Sequence, residues 1–162
     1  MKILVFNDYC VTGNIAMKAN ISVLSQNGHE VFGVPTKIFS SNMSYKDYIS
    51  FCMPNFSEIV KKIFEIQKID AIYIGFIDDE EIFEIIKDIL QKFKGKVILD
   101  PILGDNGVKY FGTTGKQIAF YREILKFADA VTPNLTEAIL LTDYNKNFSE
   151  IEREDVEKIA KN

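Results

Sequence analysis

The chain has 162 residues, of which 47% are hydrophobic and 26% are charged, and this is the composition of one ordinary globular domain. Its 19 basic and 23 acidic residues give a net charge of −4, which disfavours nucleic acid or an anionic membrane as the main partner. No apolar leader follows Met1 and no stretch approaches the ~20 apolar residues of a membrane helix, so we expect no membrane partner and a cytoplasmic location.

Short apolar runs alternate with helical patterns along the first part of the chain. Residues 3–6 predict a buried strand that ends in the polar pair Asn7-Asp8, and residues 14–27 predict a helix closed by Gly28. A second strand over 30–34 is expected to stop at Pro35. The next predicted elements are an irregular segment over 36–54, a helix over 57–67, a strand over 70–75, a helix over 82–93 and a strand over 96–99.

The same alternation continues to the end of the chain. The predicted elements are a glycine-rich turn segment over 102–115, a helix over 116–127, a strand over 130–132, a helix from 134 to about 141 and a solvent-facing helix over 150–161. Strands and helices therefore alternate about five times. This order predicts an α/β fold, with a mostly parallel sheet that carries helices on both faces, within one domain over 1–162.

The ends of the predicted strands define a candidate site, because open parallel sheets bind ligands beyond the carboxyl ends of their strands. The residues at those ends are Asn7-Asp8, Pro35-Thr36, Gly75-Phe76, Asp100-Pro101 and Thr132-Pro133-Asn134. The single histidine, His29, lies away from them, and one histidine cannot build a typical zinc site.

Two carboxylates, Asp100 and Asp105, flank a glycine-containing turn that begins at a strand end. Carboxylates placed in this way can hold Mg²⁺ or its water shell, and glycines let the backbone approach a phosphate. The alternative is that the Asp-Pro and Asn-Gly pairs of this segment are turn chemistry alone.

A second motif combines Thr132, Asn134 and Glu137 at the start of a helix that follows a strand. Such a helix start offers free N–H groups to an anion, and Glu137 could bind a metal or a water molecule. The alternative is that Asn134 and Glu137 only cap the helix as a capping box, and the two roles are compatible.

In this order, the motifs resemble those of the pyridoxal/pyridoxamine kinases of the ribokinase-like superfamily, along almost the whole chain. The segments that carry the resemblance are Asn7-Asp8, residues 33–36 with Phe39-Ser40, Gly75-Phe76, residues 100–107, Ala128-Asp129, and residues 132–134 with Glu137-Ala138. The resemblance implies a ribokinase-like fold and a reaction that transfers phosphate from ATP to the 5′-hydroxymethyl group of pyridoxal, pyridoxamine or pyridoxine, with Mg²⁺.

The resemblance also implies roles for individual residues. Asp8 and Phe76 would lie beside the pyridine ring, and Met43 would lie near the substrate, where the family has threonine. Asp100 and Glu137 would be the metal ligands. The residues implied around the nucleotide and its phosphates are Asp100, Asp105, Thr132 and Asn134.

Two features depart from the family pattern. The family's substrate flap reads Ser-Asn-His-Thr-Gly-Tyr, but within the flap of this chain, residues 36–54, positions 40–45 read Ser-Ser-Asn-Met-Ser-Tyr. The superfamily's general base is the Asp of a Gly-x-Gly-Asp motif in the second half of the enzyme. Gly115 is the last glycine here, so that motif is absent and no catalytic residue is assigned.

We therefore expect the N-terminal part of a ribokinase-like kinase, truncated before its C-terminal nucleotide and catalytic part and inactive on its own. We also expect a homodimer, because a cut-down sheet leaves edges and apolar surface that recruit partners. Two alternatives stay open: a hydroxymethylpyrimidine kinase, and a degenerate or regulatory module that binds a ligand without chemistry.

Overall fold

A computed structural model describes residues 1–144, 146 and 148–161. The strands are β1 (Lys2–Cys10), β2 (Glu30–Phe39), β3 (Ser50–Cys52), β4 (Ala71–Ile74), β5 (Lys96–Leu99), β6 (Gly104–Asp105), β7 (Val108–Lys109) and β8 (Ala130–Val131). The α-helices are α1 (Met17–Gln26), α2 (Phe56–Ile66), α3 (Glu80–Lys92), α4 (Gly115–Ile124), α5 (Leu135–Thr142) and α6 (Arg153–Ile159). No helix of the described residues is long and apolar enough to cross a bilayer.

The main sheet has six strands in the order β3-β2-β1-β4-β5-β8. Five of them are parallel, and only β3 runs antiparallel, beside β2. The prediction of a mostly parallel sheet is confirmed. The parallel order places the carboxyl ends of β1, β4 and β5 side by side, and this is the geometry that builds a site at one edge of such a sheet.

Helices cover both faces of the sheet, as predicted, but unequally. The face that carries α1 buries Ile3, Val5 and Met17, whereas the other face packs against α2, α3, α4 and α5. Phe6 and Ile74 on this second face are 0% exposed, so the main core lies there. Burial of such side chains stabilises the fold by roughly 1.5–3 kcal/mol each.

The first two strands are longer than predicted. β1 continues through Asn7-Asp8 to Cys10, and β2 continues through Pro35 to Phe39. The register of their pairing shifts between Asn7 and Tyr9, and Pro35 lies opposite Asn7 at this irregularity. Proline is tolerated in a strand at such a point because its missing N–H breaks no regular ladder bond. The expected stop at Pro35 is therefore wrong.

The flap contains regular structure that the sequence did not indicate. β3 pairs antiparallel with the end of β2, with Lys37 opposite Cys52 and Phe39 opposite Ser50. The flap is thus a hairpin at the edge of the sheet, and residues 40–49 form its long connection. The prediction of a wholly irregular segment over 36–54 is wrong in this respect.

The glycine-rich segment after β5 contains a second, small hairpin made by β6 and β7. Its two central residues, Asn106 and Gly107, both have positive φ, of 50° and 79°. This is the backbone of a type I′ turn, for which Asn-Gly is the favoured pair. The Asn-Gly pair therefore forms a turn, and the role of this segment at a phosphate or metal site stays a prediction. The Gly107 N–H donates to Thr136 Oγ1 at 2.8 Å, which ties the hairpin to α5.

The last helix is shorter and less exposed than predicted. It spans Arg153–Ile159, and Asp155 and Ile159 are only 2% and 4% exposed. Asp155 accepts hydrogen bonds from the Tyr144 hydroxyl at 2.7 Å and from Lys146 Nζ at 2.8 Å. These donors explain how a carboxylate can be buried here, and they hold the pKa of Asp155 well below its usual range. The other five residues of the helix are exposed, so the expectation of a solvent-facing helix is confirmed except on the side of Asp155 and Ile159.

Candidate functional site

A cleft of about 600 Å³ opens at the carboxyl end of the sheet, between β1, the flap and the β6–β7 hairpin. Four residues predicted from the sequence line it together: Asp8, Met43, Phe76 and Asp105. They come from four separate parts of the chain, and the parallel order of the strands brings them together. A larger groove of about 830 Å³ lies at the opposite end of the sheet, between the ends of α2 and α3, and contains none of the predicted site residues.

Aromatic side chains form one wall of this cleft. The rings of Phe39 and Phe76 meet edge to face, with centroids 5.7 Å apart and an interplanar angle of 67°. Tyr48 of the flap also meets Phe39 edge to face, with centroids 5.7 Å apart. Such a wall offers flat apolar surface to a planar ring. The sequence did not single out Phe39 or Tyr48 as site residues.

Asp8 is the acidic group on the β1 side of the cleft. Burial raises the pKa of its carboxyl to about 6, because the charged form loses solvation, and the nearby charge of Asp78 acts in the same direction. A backbone hydrogen bond partly opposes this effect. Asp8 therefore changes charge close to neutral pH, within the cleft.

The backbone that carries Phe76 is fixed by buried polar side chains. The Phe76 N–H donates to Asn7 Oδ1 at 2.8 Å, and the Phe76 carbonyl accepts from the Thr36 hydroxyl at 2.6 Å. The Tyr121 hydroxyl donates to the Gly75 carbonyl at 2.6 Å. A Cβ at Gly75 would lie 2.5 Å from the Asn7 side chain, so only glycine allows this contact.

The sequence indicated only some of these anchors. Asn7 and Thr36 were placed at strand ends, but Tyr121 lies in an ordinary helical pattern. Gln117 is also 2% exposed, and its amide donates to the Ile77 carbonyl at 2.7 Å. A polar residue on the apolar face of a helix was the one available signal for it.

A second group of predicted residues lies at the ends of β5 and β8. Asp100 Oδ1 accepts from the Thr132 hydroxyl at 3.0 Å, and Asp100 Oδ2 accepts from the Tyr73 hydroxyl. Thr132 is exposed and Asp100 is half-buried. The two residues are thus brought together, as the sequence predicted, whereas the role of Tyr73 was not foreseen.

Asn134 and Glu137 form the capping box at the start of α5. Asn134 Oδ1 accepts from the Glu137 N–H at 3.0 Å, and Glu137 Oε2 accepts from the Asn134 N–H at 2.9 Å. Glu137 Oε1 also accepts from the Leu103 N–H at 3.2 Å, so both carboxylate oxygens have donors. Burial raises the pKa of Glu137 above its usual value, and the charge of Asp100 adds to the rise. The capping prediction is confirmed, and the metal role of Glu137 stays a prediction.

The residues of this region could bind Mg²⁺ only together with oxygen atoms of a bound ligand. Among the described residues, no group of three or more His, Cys, Asp or Glu side chains could hold a metal ion by itself. Mg²⁺ is usually held through one or two carboxylates together with waters and substrate phosphates. Asp100 fits this arrangement, because each of its oxygens has one donor among the described residues and so keeps a lone pair for a further ligand.

Known proteins resemble this chain in sequence and in fold. The pyridoxal kinase of Ovis aries is 27% identical over 154 residues, which are 87% of this chain and 49% of that protein. A structure from Bacteroides thetaiotaomicron, described as a phosphomethylpyrimidine kinase in a crystal form with pyridoxal, has a TM-score of 0.90 and 25% identity. The match covers 99% of this chain and 57% of that one. The pyridoxal kinase of Leishmania donovani in complex with ADP and pyridoxamine has a TM-score of 0.83 at 21% identity, over 99% of this chain and 57% of that one, and shares the fold.

The parallel sheet, together with the likeness to the Bacteroides thetaiotaomicron structure, defines a ribokinase-like α/β fold. The family model described as phosphomethylpyrimidine kinase matches residues 12–162, and the chain therefore belongs to that family. The resemblance to pyridoxal kinases is confirmed by the curated relatives. The chain spans about half the length of these relatives.

Proposed function

We propose that this chain provides the vitamer-binding cleft and the phosphate end of an ATP-dependent kinase that acts on the 5′-hydroxymethyl group of pyridoxal, pyridoxamine or pyridoxine. The observation that carries the proposal is the cleft itself. It combines the aromatic wall of Phe39 and Phe76 with the carboxyl of Asp8, at the sheet edge that also holds Asp100 and Thr132. The Bacteroides thetaiotaomicron structure with pyridoxal supports this choice of ligand.

In this proposal the substrate ring lies against Phe76 and beside Asp8. Met43 covers the ring, since it belongs to the flap and lines the same cleft. Phe76 is 6% exposed and its backbone is fixed by Asn7 and Thr36, so the wall is formed before the ligand binds. A preformed site binds its ligand at a lower entropic cost.

The residues around the phosphates of ATP would be Asp100, Asp105, Thr132 and Asn134. Mg²⁺ would be held by Asp100 and Glu137. When bound, Mg²⁺ neutralises charge on the phosphates during transfer. Phosphoryl transfer depends on positioning and charge neutralisation more than on covalent chemistry. The attacking hydroxyl also loses a proton, and the 162 residues carry no Gly-x-Gly-Asp motif for that step.

Calorimetric titration with pyridoxal tests the proposal. We expect one site per chain, with affinity reduced about tenfold in Phe76→Leu, because the flat ring surface is lost. Phe64→Leu is the matched control, since Phe64 packs against Phe93 at the opposite end of the sheet and should leave the affinity unchanged. Equal affinities of all three proteins, or no binding by the wild type, would contradict the proposal.

A second candidate is a hydroxymethylpyrimidine kinase, which the description of the matching family favours. Its substrate is also a small aromatic ring with a hydroxymethyl group and would fit the same wall. Competition separates the two candidates. We expect hydroxymethylpyrimidine to displace pyridoxal only at much higher concentration, and displacement at equal concentration would favour the second candidate.

A homodimer is part of the proposal. The edge strand β3 lies at one end of the sheet, and Ile49 beside it and Phe51 within it are 71% and 54% exposed. An exposed strand edge with apolar side chains is a template for pairing with a second copy of the chain.

A further inference from the structure

A line of polar side chains crosses the sheet on the face that carries α1. Asn7 Nδ2 donates to Asn20 Oδ1 at 2.7 Å, and the Asn20 side chain lies beside the Tyr73 hydroxyl. The Tyr73 hydroxyl donates to Asp100 Oδ2, and Thr132 donates to the other oxygen of the same carboxylate. Hydrogen bonds join β1 to α1 and join β4 and the residue after β8 to Asp100, and the contact of Asn20 with Tyr73 links these two groups.

The two ends of this polar network lie at the two parts of the proposed site. At one end, Asn7 Oδ1 accepts from the backbone N–H groups of Asp8, at 2.9 Å, and of Phe76, at 2.8 Å, and both residues line the cleft. At the other end, Asp100 and Thr132 stand where the phosphates are expected. A shift of the backbone at Phe76 would therefore act on Asn7 and Asn20, and through the contact of Asn20 with Tyr73 on the donor to Asp100.

Tyr73 is the member whose chemistry is most specific. Burial and its bond to Asp100 raise the pKa of the Tyr73 hydroxyl above its usual value, so it stays protonated and acts as a donor. Phenylalanine would supply the same apolar ring, and the hydroxyl is needed only for the hydrogen bonds. Two donors, one on each oxygen, hold the Asp100 carboxylate in one orientation. A side chain fixed in this way loses little entropy when a ligand binds.

We propose that Tyr73 is a positioning residue that fixes the Asp100 carboxylate, and that Asn7 and Asn20 couple this carboxylate to the occupancy of the cleft. The inference rests on the proposed function, because it takes the cleft as the ring site and Asp100 as part of the phosphate site. Binding at either site would then favour binding at the other, since coupling between sites is reciprocal.

The first test needs no ligand and uses NMR of the 162-residue chain. Three-bond couplings about χ1 of Asp100 are measured in the wild type, in Tyr73→Phe and in Tyr9→Phe. Tyr9 is the matched control, because it packs in the same cluster as Tyr73 and its hydroxyl makes no hydrogen bond with a described residue. We expect a single Asp100 rotamer in the wild type and in Tyr9→Phe, and averaged couplings in Tyr73→Phe. A single rotamer in all three would overturn the proposal.

The second test adds pyridoxal and follows two methyl signals. The Met43 methyl reports on the cleft, and the Thr132 methyl reports on the far end of the network. We expect the Met43 signal to move in all three proteins, and the Thr132 response to fall at least threefold in Tyr73→Phe alone.

The outcomes separate this inference from the proposed function. If the Met43 signal moves but the Thr132 response is the same in Tyr73→Phe as in the wild type, the coupling is wrong and the proposed function stands. If the Met43 signal of the wild type does not move, pyridoxal does not occupy the cleft, and the proposed function fails together with the coupling.

Discussion

At the scale of single residues, the carboxyl of Asp8 makes a pH-dependent contribution to stability. Its pKa is about 6 in the folded chain against 3.8 for the unperturbed group. Between about pH 4 and pH 6 the folded state therefore binds more protons at this group than the unfolded state, so this contribution to stability falls as the pH rises. The full shift corresponds to roughly 3 kcal/mol, which partial exposure reduces to roughly 1–2 kcal/mol.

We therefore expect Asp8→Asn to be more stable than the wild type at pH 7 by roughly 1–2 kcal/mol, and similar to it near pH 4. Urea unfolding at both pH values measures this difference. Asp105→Asn is the control, since Asp105 is an exposed carboxylate at the rim of the same cleft. A stability difference between Asp8→Asn and the wild type that does not change with pH would contradict the assignment.

The effect of Met43 on the affinity for pyridoxal can also be tested directly. A thioether offers only a weak acceptor to a polar ring substituent, whereas a threonine hydroxyl can donate and accept. We expect Met43→Thr to bind pyridoxal more tightly, by about 1 kcal/mol for one hydrogen bond. Calorimetry against Met43→Val, which has nearly the shape of threonine without the hydroxyl, measures the effect. Equal affinities of the two variants would remove the hydrogen bond from the explanation.

At the scale of elements, the start of α5 depends on the capping box of Asn134 and Glu137. We expect Asn134→Ala to lower the free energy of unfolding by about 1 kcal/mol. Glu137→Ala should cost more, because it also leaves the buried Leu103 N–H without its acceptor. Thr142→Ala near the end of the same helix is the control, since its hydroxyl donates to the Ala138 carbonyl of its own helix. Urea unfolding measures the three losses, and equal losses would contradict this order.

The same variants test whether the capping residues also serve the phosphate site. In a longer protein that contains this chain and turns over ATP, we expect both capping variants to lower turnover while the fold persists. Normal turnover with reduced stability would mean that the two residues only cap the helix.

The sequence predicted best those elements whose signals lie in neighbouring residues. The strand over 96–99 and the helix α3 have clear periodicity and were predicted almost to the residue. The Asn106-Gly107 turn was also predictable, because the two residues favour positive φ. β3 was not, since the backbone of its three residues pairs with β2, about 13 residues away in the chain.

The site shows the same division between local and distant signals. Four site residues lie at the carboxyl ends of strands or directly after them: Asp8, Phe76, Asp100 and Thr132. The order of the predicted elements was enough to assign them to this edge of the sheet. Tyr73 looked like an ordinary strand residue, because its hydrogen bond to Asp100 depends on the register between β4 and β5. Register of this kind cannot be deduced from either strand alone.

At the scale of the whole molecule, we expect the 162 residues to bind pyridoxal without phosphorylating it. The cleft is formed, but no Gly-x-Gly-Asp motif supplies a base and an anion hole. A coupled assay with ATP and Mg²⁺ should therefore show no product above the rate without protein. Magnesium-dependent formation of pyridoxal 5′-phosphate would contradict this expectation and would require a base within these residues.

The sheet edge leads to a separate expectation about assembly. Because β3 and its apolar neighbours are exposed, light scattering at tens of micromolar should give the mass of a dimer. Phe51→Lys should shift the mass toward the 18.5 kDa monomer, because a charge on the edge opposes pairing. Ile66→Lys is the control, an exposed apolar residue at the end of α2. A monomeric wild type would show that the edge is not used.

The central claim is that the cleft at the carboxyl end of the sheet is the ring site, and the most direct measurement is the nuclear Overhauser effect between bound pyridoxal and the labelled chain. The account predicts contacts from the pyridoxal ring to Phe76, Phe39 and the Met43 methyl. Contacts only to Phe64 and Phe93, in the larger groove at the opposite end of the sheet, would contradict it.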